Sequence, residues 1–122
     1  MGKEERLRKS ADFARVREDG KTWACGLVLL KAAPNGLERN RYGFVAGKRI
    51  GNAVARNRVK RLLREIARAT PTVPGWDIVL IARGGSSEAD HSRLREAVRG
   101  LLGRARILAG NSRREGARRA NE

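Results

Sequence analysis

Between positions 48 and 68 the chain places eight basic side chains, Lys48, Arg49, Arg56, Arg58, Lys60, Arg61, Arg64 and Arg68, against one acid, Glu65. Guanidinium and ammonium groups at that density do one kind of chemistry, which is to neutralise and hydrogen-bond the phosphates of a polyanion. The apolar residues between them keep helical spacing. At about 100° per residue, Ala55, Val59, Leu62, Leu63, Ile66 and Ala69 fall on one stripe. Arg56, Lys60, Arg64 and Arg68 step by four along the other side, with Asn57 and Arg61 beside them. Like charges at that spacing destabilise a helix by about 0.2–0.5 kcal/mol per pair. A row of them with almost no acid therefore points to an anionic partner.

The rest of the chain offers little bond-making chemistry. Protein-based phosphodiester cleavage uses general acid–base groups or a carboxylate-bound metal. His91 is the single histidine, so no histidine pair exists, and its place at the start of a helical pattern reads as solvated. The acids Asp12, Glu18, Asp19, Asp77, Glu88, Asp90 and Glu96 are scattered and match no metal motif. Asp77 reads as the end of a loop and Asp90 as a helix cap. Gly84-Gly85 lacks the Lys-Ser/Thr that completes a phosphate-binding P-loop. No metal or organic cofactor is expected on the protein itself.

Composition agrees with a binder. Twenty-eight basic and 13 acidic residues give a net charge of +15, with a sequence pI near 11.6. A basic domain with its charge clustered on one element carries the electrostatic footprint of nucleic-acid binding. No apolar run approaches the roughly 20 residues of a membrane span, and the basic helix lacks the aromatic and leucine-rich face of an interfacial helix. No membrane partner is expected. Residues 1–20 hold no apolar signal-peptide core. Cys25 stands alone in an apolar run and reads as a small buried hydrophobe. A cytoplasmic location is expected.

These side chains must be positioned by an α+β fold. Residues 1–9 are charged and read as frayed. Ser10 caps a short helix bearing Phe13 and Val16, with Gly20 as its stop. Trp23–Lys31 reads as an apolar strand covered on both faces, and Ala33-Pro34-Asn35-Gly36 as a turn. Arg41–Arg49 reads as a second strand. Gly51-Asn52 breaks it, and Asn52 caps the basic helix, about 53–69, which ends before Pro71. Trp76–Ala82 is a short buried strand, and Arg83 to Ser87 a loop. Asp90 caps a last helix with Leu94, Ala97, Val98, Leu101, Leu102 and Ala105 on one stripe. One domain over residues 1–108 is expected, followed by a disordered basic tail at 109–122.

DNA is not the expected partner. The segment before the basic helix reads as a strand and a Gly-Asn break, which is not a helix-turn-helix context. Aromatic platforms often grip single-stranded RNA. Of five aromatics, Phe44 and Trp76 read as core, and Phe13, on a short half-exposed helix, is the stacking candidate.

The run Lys48-Arg49-Ile50-Gly51-Asn52-Ala53-Val54-Ala55-Arg56-Asn57-Arg58-Val59-Lys60-Arg61-Leu62-Leu63-Arg64-Glu65 resembles the signature of the bacterial ribonuclease P protein subunit, centred on Arg56-Asn57-Arg58. Ser10 to Val16 with Leu7 and Gly20 resembles that family's first helix, Asp77 to Arg83 its last strand, and Leu94–Leu102 its final helix. The resemblance spans residues 7–102. It implies an α-β-β-β-α-β-α two-layer sandwich with a left-handed β-α-β crossover around the basic helix. It also implies a protein that is not itself the catalyst. In this family a catalytic RNA subunit, with magnesium, removes the 5′ leader of precursor tRNA, while the protein binds that RNA and the leader. Carried over by position, Arg56, Asn57, Arg58, Lys60, Arg61 and Arg64, extended by Lys48 and Arg49, would meet the RNA subunit. Phe13 and Arg17 would line the leader cleft. Arg17 stands where the family often has a second aromatic, and Leu30-Lys31 lacks the tyrosine often found there. The cleft is therefore expected to grip phosphate and ribose more than bases. The competing expectations are a ribosomal or general RNA-binding protein without a role in cleavage and a small protein-only nuclease, the latter disfavoured by the residue inventory.

Overall fold

The computed structural model describes residues 5–109, with the side chain of Glu5 left aside. In chain order the elements are β1 (Glu5–Arg6), α1 (Ser10–Asp19), β2 (Lys21–Ala24), β3 (Val28–Pro34), β4 (Arg41–Val45), a 3-10 turn (Lys48–Ile50), α2 (Ala53–Ala69), β5 (Trp76–Ala82), a second 3-10 turn (Gly84–Glu88) and α3 (His91–Arg104). The strands form one sheet in the order β1-β4-β5-β3-β2. β4 runs parallel to β1 and β5, and β3 runs antiparallel to β5 and β2. The parallel pair β4–β5 needs a crossover, and α2 supplies it. Without the two-residue β1, the order is the expected α-β-β-β-α-β-α.

Strand alternation assigns the two faces. Val28, Leu30 and Ala32 of β3, Tyr42 of β4, and Ile78, Leu80 and Ala82 of β5 point to one side and are buried. They pack with Val59, Leu63, Ile66 and Ala67 of α2 and Leu94, Val98, Leu101 and Leu102 of α3 in the main core. These helix residues recur every three or four positions, the spacing of a single apolar stripe. Ala33 and Val79 point to the other face, where they meet Leu7, Phe13, Val16 and Ile81 in a second, smaller cluster. Helix α1 therefore lies on the opposite side of the sheet from α2 and α3, and adds a partial layer to the expected sheet-and-helix sandwich. Coverage on both faces explains why β3 and β5 read as almost continuous apolar runs.

Several local expectations are corrected. Trp23–Lys31 is two strands of a hairpin, split at Cys25-Gly26-Leu27 and closed by the Cys25 N–H donating to the Val28 carbonyl at 3.0 Å. Both strands are β-rich, so the short turn between them hides in the apolar count. β4 ends at Val45, and Lys48 and Arg49 belong to a 3-10 turn. Glu5–Arg6 is paired backbone beside Arg41–Tyr42, not frayed chain. The residue before α1 is Lys9, and no side chain caps that end. The other two caps form as expected: Asn52 accepts from the Ala55 N–H at 3.0 Å and Asp90 from the Arg93 N–H at 2.9 Å. Gly51 sits at φ 138°, a region that L side chains rarely adopt, and makes the break before α2.

After α3 the chain reverses through Arg106 at φ 64°. Ile107 is fully buried, its carbonyl accepts from the Val73 N–H at 2.8 Å, and the Ala109 N–H donates to the Pro71 carbonyl at 3.0 Å. Ala109, expected in the basic tail, is thus held by backbone. Residues 110–122 of that expected tail lie outside the described residues.

Candidate nucleic-acid interface

Helix α2 carries the basic residues on the flank and back of its buried stripe. Asn57, Arg58, Arg61 and Arg68 are exposed, while Arg56, Lys60 and Arg64 are half-buried. A step of four residues advances by about 40° around an ideal helix. The series Arg56, Lys60, Arg64, Arg68 therefore spirals from the edge of the core outward, instead of running along the opposite side. The Arg64 Nε is the one buried side-chain polar atom without a hydrogen-bond partner among the described residues. Lys48 and Arg49 are exposed on the turn that enters the helix, and Ile50 anchors that turn in the main core.

The placement of this charge opposes helix stability. The amino end of a helix carries about half a positive charge and favours acids. Yet α2 has no acid in its first turn, and Arg56 and Arg58 follow at once, with Lys48 and Arg49 just before. Unbonded N–H groups and cationic side chains share that end, and an anion there would meet both. Val54 stands among them, 76% exposed.

The opposite face of the sheet is built differently. Helix α1 crosses the end of the sheet that holds Ala33, Arg41 and Asp77. Phe13 reaches the sheet at Gly43, where an added Cβ would lie 2.4 Å from the ring. Phe13 is thus a half-buried wedge in a slot that glycine leaves open. Arg17, one turn further on, is exposed. Beyond the helix the floor continues as Val45, which is 37% exposed, half-buried Leu29 and Ile81, and exposed Ala24, with half-buried Lys31 beside them. An apolar strand surface beside a basic rim suits an extended chain with apolar and anionic parts. This floor was not legible beforehand, because strand residues that face a cleft have the same types as those that face a core.

Asp77 was misread. It lies within β5, not at a loop end, and is 0% exposed. Its Oδ1 accepts from Arg41 Nε at 2.9 Å and Asn35 Nδ2 at 3.0 Å; its Oδ2 accepts from Arg41 Nη2 at 2.7 Å and from Arg15 Nη2. Burial pushes the carboxyl pKa up, but the bonds from Arg41, Asn35 and Arg15 and the Arg41 charge outweigh it and hold it below its ordinary value. Arg15 also donates to the Pro34 carbonyl at 3.0 Å, and Arg41 faces Asp12 of α1 at 3.6 Å.

His91 is exposed at the start of α3, and Cys25 is a half-buried free thiol at the hairpin turn. Among the described residues, no three His, Cys, Asp or Glu side chains converge as metal ligands, and no helix is long and apolar enough to cross a membrane.

A family profile described as Ribonuclease P matches residues 1–106. The chain belongs to the ribonuclease P protein family. The ribonuclease P protein component of Dehalococcoides mccartyi strain 195 is 43% identical over 104 residues, which are 85% of this chain and 87% of that one. That of Roseiflexus sp. strain RS-1 is 46% identical over 106 residues, covering 84% and 87%. Among solved structures, the RNase P protein of Staphylococcus aureus superposes with a TM-score of 0.77 at 27% identity, covering 87% of this chain and 99% of that chain. The Thermotoga maritima protein gives 0.73 at 35% identity, covering 82% and 96%. The family's fold is the α+β arrangement described above, and family membership makes this chain a component of a ribonuclease P with an RNA partner.

Proposed function

We propose that this protein binds the catalytic RNA of ribonuclease P through the α2 flank and holds the 5′ leader of precursor tRNA on the α1 face of the sheet, assisting removal of that leader. The observation that carries the reading is the Arg56-Asn57-Arg58 signature at the amino end of a capped helix, where the helix dipole disfavours cations and only an anionic partner repays their placement. Lys48, Arg49, Lys60, Arg61 and Arg64 extend that surface. Phe13 and Arg17 border the open floor on the other face, which gives the leader a separate seat. Two polyanionic RNAs repel each other, and a +15 chain between them lowers that repulsion. The inventory of acids and one exposed histidine supports cleavage chemistry carried by the RNA, with magnesium bound there and no cofactor on the protein. The site of action would be the cytoplasm.

The test is reconstituted cleavage of precursor tRNA by the RNA subunit at low magnesium, with and without the protein. Added protein should raise substrate affinity and cleavage. No change in either would remove the reading in favour of a general RNA-binding protein. Arg56→Ala with Arg58→Ala should weaken binding to the RNA subunit about 10- to 30-fold and reduce the salt slope of log K by about 1 to 2. An unaltered slope would mean that these side chains meet no phosphate.

A further inference from the structure

Helix α1 is a weakly held element. It has ten residues, and Val16 is its one buried side chain. No side chain caps its amino end. A helix that short is marginal without tertiary support, and the apolar cluster beneath it is small. The second tie is polar. Arg15 reaches down to Asp77 and the Pro34 carbonyl, and Asp12 faces Arg41, which itself chelates Asp77. The sheet does not need this tie. β5 pairs with β3 at seven aligned positions and with β4 at five, and those ladders are backbone. Asp77 thus has both carboxylate oxygens committed to holding together one strand, one turn and one helix.

We propose that Asp77 is the positioning residue of the leader cleft: by gathering Arg15 of α1 and Arg41 of β4 onto one buried carboxylate, it sets where α1 stands over the sheet and how much of the Val45–Ile81–Leu29 floor stays open. This rests on the reading of that face as the leader seat. Asp77 acts through α1 and touches no RNA. Arg15 is the releasable half of the device. Its side chain is 34% exposed, and its loss leaves Asp77 paired with Arg41 and Asn35.

The experiment uses the assembled holoenzyme. Affinity is measured for precursor tRNA with its leader and for mature tRNA without one, in the wild type, Arg15→Gln, Arg15→Lys and Asp77→Asn. Amide hydrogen exchange over residues 12–19 is followed in the free proteins. Arg15→Gln should cut the leader-dependent gain in affinity at least threefold and speed exchange in α1, with affinity for mature tRNA and for the RNA subunit unchanged. Arg15→Lys should restore part of the gain. Asp77→Asn should show the larger loss, and where it fails to fold, Arg15→Gln decides alone. An undiminished leader gain in Arg15→Gln, or a loss equal for both tRNAs, would overturn the proposal. Unchanged α1 exchange would overturn the tether whatever the leader does. A wild-type holoenzyme with no leader gain but faster α1 exchange in Arg15→Gln would instead remove the leader reading and leave the tether standing.

Discussion

The two faces of the sheet are held in opposite ways. On one, α2 and α3 each bury four side chains against Val28, Leu30, Ile78 and Leu80, and the contact is apolar and closed. On the other, α1 buries one side chain and leans on a carboxylate between two arginines. Apolar packing is strong and indifferent to direction, whereas an ion-pair hub fixes direction but is costly to desolvate. The closed face suits a rigid support for the basic flank of α2. The open face suits an element that must stand at a set place without covering the floor beside it.

The widest gap between the faces should appear in truncations of neighbouring β5 residues. Leu80→Ala, in the closed core, should cost about 3–4 kcal/mol, while Val79→Ala, under α1, should cost about 1 kcal/mol because the thin layer above it can settle. Urea denaturation of both variants measures this, and equal losses would mean that the α1 face is packed as tightly as the other.

Asp77 sharpens the contrast in a second way. Asp77→Ala removes the partner of two half-exposed arginines and should cost about 2 kcal/mol at neutral pH. The folded carboxyl titrates below its ordinary value. Its contribution is therefore fully present above the unfolded pKa and fades as pH falls from about 4 through the lower folded value. Wild type should lose stability over that acid range more steeply than Asp77→Asn. Parallel acid limbs in thermal melts would show that the hub contributes little. The smallest effect belongs to the closed side's edge. Asn52→Ala should cost about 1 kcal/mol and fray the start of α2, loosening RNA-subunit binding without altering α1. Circular dichroism and affinity read the two parts separately.

How much of this was legible beforehand depends on whether a feature is local. Asn52, the apolar stripe of α2 and Pro71 lie within one stretch of chain, so the helix Ala53–Ala69 was readable almost to the residue, as were Trp76–Ala82 and the Asp90 cap. The Glu5–Arg6 strand is made by backbone pairing with a partner 36 positions on, and its charged side chains carry no strand pattern. Asp77 looked like a loop residue because acids are rare in central strands. Its partners Arg15, Asn35 and Arg41 lie 62, 42 and 36 residues away, and no local spacing reveals such a meeting. The basic residues of the candidate interface were visible by type, but which were half-buried depended on the helix's rotation against the core. The open floor on the α1 face emerged only when the sheet's uncovered end was known.

The place of β5 has a consequence for how the chain is made. β3 and β4 are not neighbours; each pairs with β5, the last strand to be synthesised among the described residues. A nascent chain that stops before Trp76 holds the β2–β3 hairpin and the β1–β4 pair but no strand to join them, and Arg15 and Arg41 lack the Asp77 carboxylate. Both helical layers wait for the same seven residues. The protein therefore completes neither surface before β5 has left the ribosome. The closed layer waits longer still, because Leu94, Val98, Leu101 and Leu102 of α3 complete its core, so a product truncated before β5 has neither layer in place.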